Sequence, residues 1–219
     1  MRSKIIFSAI VSTFVFFGGC VNQSHSVFSS TGDARQVLVV TADAPGDFHA
    51  TVEGFENVEG TRRRVLGPMR AVIGRNGLSY QKREGDGCSP AGTFTLTQAF
   101  GSEPEPVQVK LPYRQTTAND FWVDDVKSPL YNAWQKGPAN GRWNSAEDML
   151  RKDGLYKYAV VIDYNPERTP GRGSAIFLHL WRGPDKPTAG CTALAEPDVI
   201  KILAWLDPAK YPRIIQKTK

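Results

Sequence analysis

Residues 174–194 decide how this chain is interpreted, and they read SAIFLHLWRGPDKPTAGCTAL. A strand-like apolar run ends in His179, and a loop rich in glycine and proline leads from it to Cys191. Successive side chains of a strand point to opposite faces, so we expect Phe177, His179 and Trp181 on one face. The stretch therefore predicts a strand, a loop and a turn that bring an imidazole and a thiol together at the end of a sheet.

An imidazole beside a thiol can act as the base for a nucleophile. A free thiol has a pKa of about 8.5 and is mostly protonated at neutral pH, so an imidazole that accepts its proton activates it for attack on an acyl carbon. Gly190 lets the backbone turn sharply, which could aim backbone N–H groups at a developing oxyanion. A single cysteine or histidine is usually structural, but the spacing of His179 and Cys191 favours chemistry.

The composition is typical of one mainly β domain of the β-rich α+β class. The chain has 219 residues, with 20 glycines and 15 prolines, so it is long enough for a sizeable core and rich in turns. The dipeptide Asn76-Gly77 predicts a tight hairpin. Strand patterns of β-branched and apolar residues lie at 36–41, 49–52, 158–164 and 211–215.

Two helices are predicted, one on each side of the opening stretch. The first begins at Ser145, before the histidine strand, because acidic residues follow a serine that can cap a helix. The second follows Cys191, with Pro197 in its first turn and Asp207-Pro208 at its end.

The charge of the chain argues against nucleic acid as a partner. Lysine and arginine total 27 against 22 acidic residues, which gives a net charge of +5 without a long basic tract. The densest basic cluster, 62–64, is interpreted as a solvated strand edge, since binding to phosphates needs a stripe of cations on one face.

The N-terminus is typical of an exported lipoprotein. Arg2 and Lys4 precede an apolar run at 5–17, which is too short to span a bilayer and indicates a signal peptide over residues 1–19. Cys20 follows two glycines, as in a bacterial lipoprotein processing box, and is the predicted lipid attachment site. Residues 20–35 are then a flexible tether and 36–219 the domain, which we expect at the periplasmic face, anchored to the outer membrane.

Cysteine use leaves two possibilities within the domain. With Cys20 lipidated, Cys88 and Cys191 remain in an oxidising compartment. They either pair with each other, or at least one of them stays free for chemistry. A disulfide between them would block the thiol of Cys191.

The opening stretch and an upstream block together resemble the L,D-transpeptidases with a YkuD-type catalytic domain. That family has a strand-end histidine, a loop, and then Ser/Thr-His-Gly-Cys, which here reads Thr-Ala-Gly-Cys at 188–191. Residues 85–94, Gly-Asp-Gly-Cys-Ser-Pro-Ala-Gly-Thr-Phe, are similar to the family's upstream glycine-rich block. The resemblance covers residues 36–216 and implies a β-sandwich or curled mixed sheet.

The resemblance also implies the roles of the site residues. Cys191 would be the nucleophile, His179 the general base, and the segment of Ala189, Gly190 and Thr192 around Cys191 the oxyanion hole and substrate loop. The implied reaction is acyl transfer between peptidoglycan stem peptides through a thioester, with D-alanine released and with no metal or cofactor. Ala189 replaces the family's second histidine and Ala193 its arginine, which marks a divergent branch with altered substrate choice.

Two other functions fit the same residues. The thioester could be resolved by water, which gives an L,D-carboxypeptidase or an amidase-type peptidoglycan hydrolase. Alternatively, the protein could be a cell-wall-binding lipoprotein that keeps the fold without catalysis, although the presence of both His179 and Cys191 favours an enzyme.

Overall fold

The computed structural model describes residues 28–106 and 108–219, so the predicted signal peptide and Cys20 lie outside the described residues. The described residues contain one α-helix, α1 (Glu196–Trp205), and short 3-10 turns at Ser29–Thr31 and Pro208–Lys210. The remaining elements are strands, which confirms the mainly β class. They are β1 Gln36–Ala42, β2 His49–Val58, β3 Thr61–Val72, β4 Leu78–Ser79, β5 Ser89–Pro90, β6 Gly92–Gly101, β7 Tyr113–Gln115, β8 Asp120–Val123, β9 Ala133–Lys136, β10 Ala146–Asp148, β11 Ala159–Ile162, β12 Phe177–Leu180, β13 Thr192–Leu194 and β14 Arg213–Thr218.

Nine of the strands form one mixed sheet in the order β11-β12-β13-β3-β2-β1-β14-β6-β7. The first residues of β6 pair with β14 and its last residues pair with β11, so the sheet curls back on itself. Parallel pairs such as β12–β13 and β1–β14 stand among antiparallel ones. The predicted curled mixed sheet is confirmed.

The opening stretch folds as β12, a loop and β13. The two strands are parallel neighbours, with Leu178 paired to Thr192 and His179 paired to Ala193. Paired residues share a face of a sheet, and so do residues two apart in one strand. His179 therefore lies on the same face as Ala193 and as Cys191, which precedes Ala193 by two residues.

The two faces of β12 pack against different cores. Leu178 belongs to the larger core, which also contains the buried side of α1. Phe177 belongs to a smaller aromatic core, where its ring centroid lies 5.1 Å from that of Phe100 and 5.5 Å from that of Tyr156. Full burial of a phenylalanine side chain stabilises a fold by about 1.5–3 kcal/mol. His179 and Cys191 thus lie on the side of the aromatic core.

The helix predicted after Cys191 is confirmed as α1. It carries Pro197 in its first turn, a position where proline fits a helix. The acidic residues on either side, Glu196 and Asp198, interact favourably with the positive end of the helix dipole. Its buried residues, Val199, Ile202 and Leu203, hold it on the sheet.

The helix predicted to begin at Ser145 is wrong, because residues 146–148 form the short strand β10. Glu147 pairs with Trp122 of β8, and the Ser145 hydroxyl donates to Asp124 Oδ1 at 2.5 Å instead of capping a helix. Helix propensity is a weak preference that tertiary pairing overrides. No other helix precedes β12 within the described residues.

The hairpin predicted at Asn76-Gly77 is also wrong, although the turn itself forms. Gly77 has φ +75° and its N–H donates to Gly74 O at 2.8 Å. The strand that follows, β4, then pairs in parallel with β5. The Asn76 side chain donates to Asp86 O at 2.7 Å, so this turn holds the glycine-rich loop.

One compact unit of the chain covers Thr31–Lys219, so it begins five residues before the domain boundary predicted at residue 36. Ala34 is buried, the Arg35 N–H donates to Lys210 O at 2.8 Å, and the Arg35 carbonyl accepts from Asn57 N at 2.9 Å. The last residues of the predicted tether thus pack as part of the domain.

Candidate active site

His179 and Cys191 line the same cavity, whose volume is about 380 Å³. Its wall also includes the loop before Cys191, a segment around Lys82 and a segment between Glu147 and Tyr156. Three distant parts of the sequence therefore meet around the thiol.

The imidazole of His179 is buried and its tautomer is fixed by the backbone. Its Nδ1 lies 2.7 Å from Leu180 O, and because a carbonyl oxygen can only accept, Nδ1 carries the hydrogen and Nε2 keeps its lone pair. The ring packs edge-on against Tyr156, with centroids 5.2 Å apart. Burial lowers the pKa of His179 from 6.5 to about 4, so the imidazole is neutral at pH 7.

The thiol of Cys191 is held by the backbone of the segment that leads into β12. Its Sγ donates to Ala175 O at 3.3 Å and accepts from Phe177 N at 3.4 Å. Burial, and after it the nearby charge of Glu147, raises the pKa of this thiol from 9.0 to about 12. Cys191 and His179 therefore rest as a neutral thiol and a neutral imidazole.

The loop before Cys191 is fixed by two hydroxyl groups. Thr188 Oγ1 donates to Cys191 O at 2.6 Å and accepts from Gly190 N at 3.1 Å. Ser89 Oγ donates to Gly190 O at 2.6 Å and accepts from Gly74 N at 2.9 Å. These bonds set the direction of the chain at Cys191.

The residues predicted for the oxyanion hole do not all line the cavity. Ala189 is exposed and, like Gly190, lines the cavity. Thr192 is fully buried, and its hydroxyl donates to Gln216 Oε1 at 2.5 Å. The structure therefore brings Ala189 and Gly190 to the cavity with Cys191, and it places the Thr192 side chain in the interior.

The glycine-rich loop and the segment just before it contribute two residues that sequence reasoning missed. One is Ser89, described above, which links this loop to Gly190 and Cys191. The other is Lys82, whose side chain is 3% exposed, lines the cavity and donates to Asp86 Oδ1 at 2.9 Å. The sequence offered one signal for Lys82, its position four residues before Asp86 of the glycine-rich block, and that signal is weak.

A second group of missed residues surrounds Glu147, which also lines the cavity. Arg151 Nη1 donates to Glu147 Oε1 at 2.7 Å, and the Tyr156 hydroxyl donates to the same oxygen at 2.7 Å. Arg151 also donates to Asp153 at 2.6 Å. Burial raises the pKa of Glu147, and the hydrogen bonds from Arg151 lower that of Asp153. The serine and acidic residues at 145–148, which predicted a helix start, misled the prediction of structure here.

Cys88 and Cys191 are both free thiols. The Cys88 Sγ donates to Asn76 O at 3.6 Å, whereas the Cys191 Sγ donates to Ala175 O. The disulfide considered from the sequence is not formed in this structure, and burial raises the pKa of Cys88.

Neither a metal centre nor a membrane helix is found in residues 28–106 and 108–219. Histidine, cysteine and acidic side chains there do not gather in groups of three or more that could hold a metal ion. Helices of that part of the chain lack the length and apolar character needed to cross a bilayer.

The L,D-transpeptidase catalytic domain, YkuD, matches residues 57–215 of the chain. The chain belongs to the YkuD family. The matched region contains the glycine-rich loop, His179 and Cys191, and it confirms the resemblance found in the sequence. This family acts on peptidoglycan stem peptides.

Among solved structures, the crystal structure of the helical cell shape determining protein Pgp2 from Campylobacter jejuni is similar to this YkuD protein. The two are 16% identical with a TM-score of 0.43, over 90% of this chain and 56% of that chain. The chain therefore spans little more than half the length of that structure. No curated protein matches it in sequence.

Proposed function

We propose that the protein is a cysteine acyltransferase that joins peptidoglycan stem peptides by L,D-transpeptidation. Cys191 attacks the carbonyl at the L-centre of the diamino acid in a stem tetrapeptide, and the terminal D-alanine leaves. An amine of a second stem then resolves the thioester. The observation that carries this proposal is the fixed tautomer of His179 in the cavity it shares with Cys191, because a buried neutral imidazole with a free Nε2 suits a base.

In the acylation step, one proton passes from the thiol to His179 and then from His179 to the leaving amine. The thiol proton of Cys191 passes to His179 Nε2 while sulfur bonds to the carbonyl carbon, and the C=O electron pair moves onto oxygen. When that pair returns, the C–N bond breaks and His179 gives the proton to the leaving amine. Because both groups are neutral at rest, charge appears only as sulfur attacks.

The location of the enzyme is part of the proposal. Residues 1–19 direct export, and acyl chains on Cys20 hold the domain at the periplasmic face of the outer membrane, close to the cell wall. Cys20→Ser should release the protein from membrane fractions. Recovery of this variant in the membrane pellet would contradict the anchor.

Tetrapeptide muropeptides, incubated with the purified protein, test the activity. Mass spectrometry should find the acyl adduct on Cys191, free D-alanine and new cross-linked dimers, all absent with Cys191→Ala. Trimmed tripeptides without dimers would instead indicate the L,D-carboxypeptidase or amidase-type hydrolase. Equal turnover by Cys191→Ala and wild type would remove the catalytic role of the thiol, and no turnover by either would favour a non-catalytic wall-binding protein.

A further inference from the structure

We propose that Lys82 is a further catalytic residue, whose ammonium faces the negative charge that forms on Cys191 and on the substrate oxygen during acylation. The position of this side chain, its incomplete set of partners and the other groups around the thiol each support that role.

The side chain of Lys82 runs between two glycines to reach the cavity. A Cβ atom added to Gly173 would lie 3.1 Å from Lys82 Cε, and one added to Gly190 would lie 3.4 Å from Lys82 Nζ. The ammonium is therefore next to the residue that precedes the nucleophile. Lys82 is only 5% exposed, so this position is fixed by packing and not by chance contact at the surface.

A buried ammonium needs partners for its three N–H donors. Lys82 Nζ donates to Asp86 Oδ1 at 2.9 Å and to Arg83 O at 3.2 Å. Asp86 is itself held by the N–H groups of Arg83 at 2.7 Å and Cys88 at 2.9 Å. Within the described part of the chain these are the partners of Nζ, so one N–H is left for an oxygen in the cavity. Burying a charge that is incompletely bonded is costly, and an anionic ligand would offset that cost.

Two other charged side chains of the cavity wall act on the thiol. Glu147 opposes an anion on Cys191, while Arg151, like Lys82, favours it. Arg151 is committed to Glu147 and Asp153, and His179 is neutral. Tyr156 donates to Glu147 and, with a raised pKa, stays uncharged.

Two other donors near Cys191 are already used in hydrogen bonds within the protein. Gly190 N donates to Thr188 Oγ1, and the Thr192 hydroxyl donates to Gln216. When sulfur attacks and the carbonyl oxygen becomes negative, an N–H of Lys82 can donate to it. That step rests on the acyl transfer proposed above, whereas the effect of Lys82 on the thiol does not.

Alkylation of Cys191 by iodoacetamide tests the effect on the thiol without any substrate. Rates are measured from pH 6 to 10 on the full chain, with the adduct located at Cys191 by peptide mass spectrometry. Lys82→Met should lower the thiolate fraction of Cys191 and slow alkylation at pH 8 by about tenfold or more, since one pKa unit changes the thiolate fraction tenfold. Lys82→Arg, which keeps the charge, and Arg83→Met, which removes an exposed charge one residue away, should stay within about threefold of wild type.

An unchanged rate in Lys82→Met, or an equal loss in Arg83→Met, would overturn the proposal. A thermal melt accompanies each variant, and Lys82→Gln, which can still donate to Asp86, replaces Lys82→Met if that protein does not fold.

Turnover of stem tetrapeptides tests the second half of the proposal. Lys82→Met should lower kcat by about a hundredfold, the loss typical of one oxyanion donor, with KM nearly unchanged. A raised KM with normal kcat would instead mean that Lys82 binds a substrate carboxylate, and would overturn the role on the oxyanion. If wild type itself fails to turn over stem peptides while the alkylation result holds, the proposed function fails and the effect of Lys82 on the thiol stands.

Discussion

Acid should destabilise this protein through one buried imidazole, that of His179. Burial lowers its pKa to about 4 from 6.5, while in the unfolded chain it returns to about 6.5. As the pH falls below 6.5, the unfolded state therefore binds the proton first, and stability is lost until the folded state also titrates near pH 4. A difference of about 2.5 pH units at about 1.36 kcal/mol each gives a loss of about 3 kcal/mol.

The measurement is denaturant unfolding of the wild type and of His179→Gln at several pH values between 7 and 4. Glutamine stays neutral throughout, so the variant lacks this contribution. The difference in unfolding free energy between the two proteins should therefore change by about 3 kcal/mol in favour of the variant from pH 7 to pH 4. His49, which is paired with Asp47, titrates in both proteins and cancels in the difference.

A difference that stays constant over this range would refute the reasoning. It would mean that His179 keeps an ordinary pKa in the folded protein, and hence that the cavity around Cys191 is open to water. A neutral resting pair of thiol and imidazole would then no longer follow from burial. A change confined to the narrow range between pH 7 and 6 would have the same consequence.

Two further predictions concern the buried hydroxyl groups of Ser89 and Thr192, close to Cys191. Ser89→Ala should cost about 1–3 kcal/mol of unfolding free energy, because Gly74 N and Gly190 O lose their partner. It should also slow alkylation of the thiol, whereas Ser79→Ala, in the partly exposed strand β4, should do neither. Thr192→Val should cost a similar free energy, because Gln216 loses a buried donor, yet leave alkylation unchanged. Slower alkylation at full stability would instead support the oxyanion role predicted for Thr192 from the sequence.

The local features of the site could be predicted because they depend on short periodicities. A strand alternates with a period of two, so His179 was correctly placed at a strand end on the face that leads to Cys191. Pro197 and Asp207-Pro208 likewise marked the limits of α1, since proline fits a first helical turn and cannot continue a helix.

The remaining wall of the cavity depends on contacts between distant residues, which no local pattern encodes. Glu147 and Arg151 have the spacing of a helical pair, yet Glu147 lies in β10 because that segment pairs with β8. Lys82 has an ordinary sequence context, and only the closure of the sheet brings it to Gly190, which lies more than a hundred residues later. The positions of Glu147 and Lys82 therefore follow from long-range contacts and not from local propensity.

Ala189 and Ala193 replace two polar residues of the family's motif, yet the cavity still contains charged side chains. Ala193 is fully buried in register with His179, and Ala189 lies exposed at the cavity. Neither methyl group can replace the arginine or the second histidine of the family pattern. However, Lys82 and Arg151 enter the same cavity from other segments, and a cation acts on an anion according to distance and burial, whatever its place in the sequence. The electrostatics of this branch are therefore to be compared with the rest of the family at residues 82 and 151 as well as within the motif.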